Sequence, residues 1–260
     1  MAAEATVRAL RAGVGVLDVL GHPGAGEVLA WFSRACYLRV PGGVITLVGP
    51  DVHDGPIHLV LDEPLPEVPA RTPAWLTTEE LGIGSNCVLV DEVVPWRGSL
   101  PEPVAVRGAA MATAEVLADA AAGSLLPEPT ASEARVLVER DDLEAVARDL
   151  AGLGPGLTPS GDDVLGGVLF AWRASRGPAE EPRLAAVAEG VATNDIARAF
   201  LRWAARGQAL APVHDLLGSA VRGQRGAATV AGRALAAVGE SSGADFALGL
   251  RWGMRASGTQ

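Results

Sequence analysis

GLGPGLTPSGDDVLGG, residues 152–167, places glycines, two prolines and two adjacent aspartates where a helix begins. An ordinary helix start needs one capping side chain. This stretch instead invests in backbone freedom and negative charge. The segment before it, EARVLVERDDLEAVARDLAG, is too long and too rich in Ala, Glu and Arg for a strand, so the turn joins helix to helix. A dinucleotide-binding turn requires a preceding strand and the G-x-G-x-x-G spacing, and Gly152, Gly154 and Gly156 supply neither.

Ser160 and Asp163 fit the capping-box pattern, and carboxylates in a first turn complement the positive end of a helix. Thr130 and Glu133 repeat that pattern and are read as a cap alone. Three features carry the glycine-rich turn further. Its glycines let backbone N–H groups converge on a ligand, which makes Gly154, Gly156, Leu157, Thr158, Ser160 and Gly161 candidate binding residues. Gly166 and Gly167 lie inside the helix, where each costs about 1 kcal/mol relative to Ala, so something approaches that face closely.

On a helical wheel Val164, Leu165, Val168, Leu169 and Trp172 form the core stripe, leaving Asp162, Asp163 and the two glycines opposite. The two aspartates are thus candidate catalytic acids, Mg²⁺ ligands or acceptors for a polar substrate. Their charge opposes a bare anion, so an anionic ligand needs a metal or an arginine beside them. The third feature is repetition. SSGADFALG, 82 residues downstream, matches PSGDDVLGG at Ser242, Gly243, Asp245 and Gly249. Two helix N-termini facing a shared pocket, each offering Ser and Asp, is one reading; a duplicated cap in a helical array is the other.

Elsewhere, Thr193 falls on the apolar side of a helix entrance and is a candidate for the same pocket, or a buried cap. Arg198, Arg202 and Arg206 form an i, i+4, i+8 row read as a solvated face. The histidines show no metal-ligand spacing; His58, after a Gly-Pro turn, is the one taken as a candidate ligand-binding residue.

Composition bounds the rest. The chain has 260 residues, a net charge of −10 and no lysine, all 21 basic residues being arginine. A lysine Schiff base and a Walker A loop are excluded, and an acidic chain without a basic block points away from nucleic acid. Apolar runs are too short for a membrane span, MAAEATVRAL lacks the pattern of a secretion signal, and two cysteines suit a reducing compartment; the expectation is a cytoplasmic protein.

The texture changes along the chain. Residues 4–20 read as an opening helix, residues 30–94 as strands with a hairpin at Pro41-Gly42-Gly43, and PWRGSLPEP (95–103) as a boundary. Beyond it 104–123, 130–151, 161–176, 183–206, 209–221, 225–238 and 242–254 read as helices. The expected class is α+β: a small β-rich N-terminal domain with an opening helix over 1–98, then an all-helical domain over 99–260 with the glycine-rich turn at a helix N-terminus.

At GLGPGLTPSGDD the sequence resembles the AllH-like proteins, a bacterial family whose named member is a subunit of oxamate carbamoyltransferase in anaerobic allantoin degradation. RACYLRVPGGVITLVG with Gly55-Pro56, TNDIARAFLRWAARGQ and ESSGADFALG extend the resemblance along most of the chain. It implies carbamoyl chemistry, with oxalurate and phosphate interconverting with oxamate and carbamoyl phosphate, and it implies partner subunits. The S-T-R-T signature of the aspartate and ornithine carbamoyltransferases is absent. The leading expectation is a carbamoyltransferase-type enzyme or subunit whose loop 154–163 cradles phosphate or carboxylate while Asp162 and Asp163 handle a metal or the carbamoyl amide. The rival is a non-catalytic metabolite-binding or assembly subunit. Nucleotide-dependent phosphoryl transfer, with Mg²⁺ on the aspartates, is the weaker third.

Overall fold

The computed structural model describes residues 5–258, and the chain divides into two compact units, Met1–Arg97 and Gly98–Gln260. In the first unit a strand, β1 (Thr6–Gly13), runs directly into a helix, α1 (Val14–Leu20). There follow β2 (Gly24–Phe32), β3 (Ala35–Val40), β4 (Gly43–Val48), β5 (His58–Leu61), β6 (Pro73–Leu76), β7 (Glu80–Ile83), β8 (Asn86–Leu89) and the short β9 (Val94–Trp96).

The order β5-β4-β3-β2-β6-β7-β8-β1 is closed by a β1–β5 pairing, which makes an eight-stranded barrel. One edge of β1 pairs antiparallel with β5, while its other edge runs parallel to β8 over Thr6–Arg8 and to β9 over Arg11–Gly13. This corrects the expected α+β class: the chain is a closed β-barrel followed by an all-helical unit, a mixed α/β protein. It also corrects the opening helix, whose residue 4 lies outside the described residues. Val7 and Ala9 point into the barrel core between more exposed neighbours, and pairing on both edges overrides the helical bias of Ala and Arg in TVRALRAG. The β3–β4 hairpin turns at Pro41-Gly42, with Gly42 at φ 92°, in the left-handed region that favours glycine.

The second unit contains α2 (Pro103–Gly108), α3 (Ala110–Ala120), α4 (Thr130–Glu139), α5 (Leu143–Leu150), α6 (Ser160–Arg176), α7 (Glu181–Gly190), α8 (Asp195–Ala205), α9 (Ala211–Val221), α10 (Arg225–Ala236) and α11 (Ser242–Gly258). Among the described residues, no helix is long and apolar enough to cross a membrane. Helix α6 is the axis of this unit, with every residue from Val164 to Trp172 buried. The wheel assigned the core to one stripe, but other helices surround α6 and the glycine face is covered too.

What covers it is α11. A Cβ at Gly167 would lie 2.2 Å from the Phe246 carbonyl oxygen, and one at Gly249 would lie 1.8 Å from that of Val164. These contacts are reciprocal, since both pairs keep the 82-residue offset of the repeated motif. Further along, Ser175 Oγ and Ser257 Oγ lie 2.8 Å apart, and each also lies within hydrogen-bond distance of the carbonyl four residues back, at 2.7 and 2.8 Å. Equivalent positions meet along the whole length, so the helices run parallel about a pseudo-two-fold axis, with both N-termini at one end. The lead-ins match as well. Gly161 packs on the Leu150 carbonyl and donates to Leu153 O; Gly243 packs on the Leu235 carbonyl and donates to Val238 O. The helix pairs α5–α6 and α10–α11 are one repeated unit, the first with a loop three residues longer.

His214 holds the start of this unit in place. Its Nε2 accepts from the Ala209 N–H (3.2 Å), which leaves Nδ1–H to donate to Ser99 O (3.1 Å), and Gln208 pairs both ways with Gly98. The ring must be neutral to accept at Nε2, and burial pushes its pKa below the usual imidazole value. A lowered folded-state value makes folding release a proton, so stability is full above the unfolded pKa and declines as pH falls below about 6.5. His214→Gln is expected to flatten part of the decrease in Tm between pH 7.5 and 5; an unchanged slope would rule out this role.

Candidate functional site

The candidate site lies where α6 and α11 begin side by side. Neither expected capping box forms. Pro159 and Pro129 occupy the N-cap positions of α6 and α4 without side-chain bonds, and Ser160 and Thr130 are already the first helical residues. Ser160 is buried beneath Gly154, whose hypothetical Cβ would come within 3.4 Å of its hydroxyl. The acids are therefore available for other work.

Asp162 and Asp163 face different surroundings. Asp162 is 2% exposed; its Oδ1 accepts from the Gly152 N–H at 2.9 Å and its Oδ2 from the Thr193 hydroxyl. Burial raises its pKa, opposed by those two bonds and by the charge of Arg198. Arg198 spends its guanidinium on the carbonyls of Glu189, Val191 and Thr193, at 2.8–2.9 Å, and so fixes the segment that carries Thr193. The core does claim Asp162, as the strap that ties the loop's entry to the start of α8.

Asp163 is partly exposed as a residue, yet its Oδ2 is buried and has no hydrogen-bond partner. Its pKa is held well above the usual carboxylate value, chiefly by desolvation and further by the charges of Asp245 and Asp162; the hydroxyls of Ser242 and Thr158 act the other way. Those two hydroxyls are 2.8 Å from each other and bridge the first loop to the head of α11. Asp245, fully buried, occupies the equivalent place on α11. Its Oδ1 accepts from the Ser124 hydroxyl (2.6 Å) and the Leu125 N–H (2.9 Å), and its Oδ2, like that of Asp163, has no partner.

The loop supplies donors. Gly154 and Gly156 have φ of 111° and 94°, and a Cβ at Gly156 would meet nothing within 4 Å. Among the described residues, the N–H groups of Gly154, Gly156 and Leu157 donate to no protein acceptor. The Leu157 carbonyl accepts from Asn194 Nδ2 at 2.9 Å, while Asn194 Oδ1 caps α8 through the N–H groups of Ile196 and Ala197.

Of the residues singled out in the sequence, Gly154, Gly156, Leu157, Thr158, Ser160, Gly161, Asp162, Asp163, Thr193, Ser242, Gly243 and Asp245 thus cluster at this end of the helical unit. His58 belongs to β5 of the barrel unit, buried, with Nδ1 2.8 Å from the His53 carbonyl. Sequence reading missed Asn194, Ser124 and Leu125. Asn194 carried a signal, an N-cap residue ahead of the amphipathic α8; Ser124 carried none, because it meets Asp245 only through the fold. A Mg²⁺ ion on Asp162 and Asp163 fits poorly. Both Asp162 oxygens are engaged, and among the described residues no three His, Cys, Asp or Glu side chains converge to hold a metal ion.

Residues 150–254, from the end of α5 into α11, match the sequence model of a family described as oxamate carbamoyltransferase subunit AllH. Over these residues, fewer than half of the chain, the sequence is similar to the AllH family. No curated protein and no solved structure matches. The matched segment contains the glycine-rich loop, Asp162, Asp163, Thr193, Ser242 and Asp245, but neither Ser124 nor any part of the barrel.

Proposed function

We propose that this chain is a component of a carbamoyltransferase-type enzyme that binds a small carbamoyl-bearing or anionic ligand at the loop Gly154–Asp163. The reaction class is transfer between carbamoyl phosphate and an amide acceptor of the oxamate type. An acceptor nitrogen attacks the carbamoyl carbon, an N–C bond forms, the C–O bond to phosphate breaks, the nitrogen's proton passes to a carboxylate and phosphate leaves. Such chemistry relies on positioning and on N–H donors aimed at charge developing on oxygen, and needs no covalent nucleophile.

One observation carries the reading. Within a segment similar to the AllH family, undonated N–H groups at the mouth of a helix adjoin a carboxylate whose Oδ2 is sealed from water and unpartnered. Native structures satisfy nearly all buried polar atoms, and exceptions gather at functional sites. The family description is of a subunit, which supports partner chains; the two cysteines, both free, suit a reducing cytoplasm. A binding-only subunit is the second reading, favoured by the charges felt at Asp163, which are those of Asp245 and Asp162 and both negative.

Thermal unfolding of the full chain with carbamoyl phosphate, oxamate or phosphate tests both. A ligand at a hundred times its Kd adds about 2.7 kcal/mol, a rise of several degrees in Tm. Turnover to oxalurate by the purified chain selects the catalytic reading, and stabilisation without turnover selects the binding one. No shift with any of the three ligands would overturn both.

A further inference from the structure

We propose that Asp163 and Asp245, one from each half of the helical repeat, jointly receive the N–H groups of a primary amide on the ligand. This deepens the reading above and rests on it, for it says which end of the ligand enters between the helix heads. Three observations converge. Asp245 is fully buried and its Oδ1 is fixed by Ser124 and Leu125, so Oδ2 is held in place as an acceptor without a donor. Asp163 presents a second buried, unpartnered Oδ2 close enough for the two charges to interact. The parallel packing of α6 on α11 keeps these carboxylates at one end of a rigid pair.

The chemistry of the occupant follows from what is missing at each oxygen. Both need a donor, and the charges bearing on Asp163 are negative, so the anionic end of a ligand is repelled from the place where an N–H is welcome. A primary amide is neutral and carries two N–H bonds on one nitrogen, enough for one to each carboxylate. The anionic end of the same molecule can turn toward the free N–H groups of Gly154, Gly156 and Leu157, where the helix end favours negative charge.

Oxamate and oxalate test this directly, since they differ only in the replacement of –NH2 by –O⁻. In calorimetric titration of the full chain, with and without phosphate, oxamate is expected to bind tenfold tighter than oxalate or better. In Asp163→Asn and in Asp245→Asn the preference should collapse to within about twofold or reverse, because the new side-chain amide brings its own N–H. Equal binding of the two anions to the parent protein, lost in Asp163→Asn, would keep the loop as a ligand site and overturn the amide assignment. Mg²⁺ binding that disappears in Asp245→Asn would overturn it in favour of a cation. If neither anion nor carbamoyl phosphate binds, the parent reading falls with it.

Discussion

Asp163→Asn is expected to make the protein harder to unfold and, at the same time, to erase its preference for oxamate over oxalate. The first effect follows from linkage. Desolvation, together with Asp245 and Asp162, holds the folded-state pKa well above 3.8, so between the unfolded and folded values the native state binds more protons than the unfolded chain. Stability from this group is therefore complete below the unfolded pKa and is lost as pH rises through the folded one. Replacing the acid by its amide removes that loss, so the variant's advantage should be absent near pH 3.5 and grow toward pH 8. The gain there should be about 1–3 kcal/mol, the usual scale for a buried polar group left unsatisfied. An asparagine at 163 also brings N–H bonds to a position whose acid interacts with Asp245, so it is expected to do in the protein what the ligand's amide is proposed to do. Urea unfolding of both proteins across this pH range checks the sign. A variant less stable at pH 8 than the parent would mean that Asp163 is a structural acid after all.

Adjacent acids with opposite uses explain what the sequence could and could not yield. Asp162 and Asp163 are indistinguishable as letters. One is bound by Gly152 and Thr193 and the other faces Asp245 because α6 presents them about 100° apart to different neighbours. The helix-to-helix turn, the Ser-Gly-Asp repeat and Thr193 were legible, since each rests on local chemistry: backbone permissiveness, spacing, or a helix entrance. Gly167 correctly signalled a close approach, although the approaching body is α11; at Gly166 a Cβ would meet the Phe246 ring at 3.4 Å, an ordinary contact. The barrel was not legible, because its closure depends on TVRALRAG pairing with strands 47 to 81 residues away. Ser124 escaped for the same reason, being 121 positions from Asp245.

The largest loss of stability is expected from Gly249→Ala. A Cβ there would sit 1.8 Å from the Val164 carbonyl oxygen and 2.7 Å from its carbon. Both are backbone atoms of a fully buried helix, so no flexible side chain can move aside, and α11 must lift away from α6. Overpacking typically costs about 1–3 kcal/mol, and a clash with rigid backbone belongs at or above the top of that range. Gly167→Ala should cost nearly as much, as its Cβ would meet the Phe246 carbonyl oxygen at 2.2 Å. The double variant should lose clearly less than the sum, since separating the helices once accommodates both methyls. Gly226→Ala in α10, where a Cβ meets nothing within 4 Å, is the control and should change stability by less than about 1 kcal/mol. Strict additivity at positions 167 and 249 would contradict the reciprocal crossing. Ligand response adds a second readout: lifting α11 carries Asp245 and Ser242 away from Asp163 and Thr158, so oxamate binding should weaken even where Gly249→Ala remains folded.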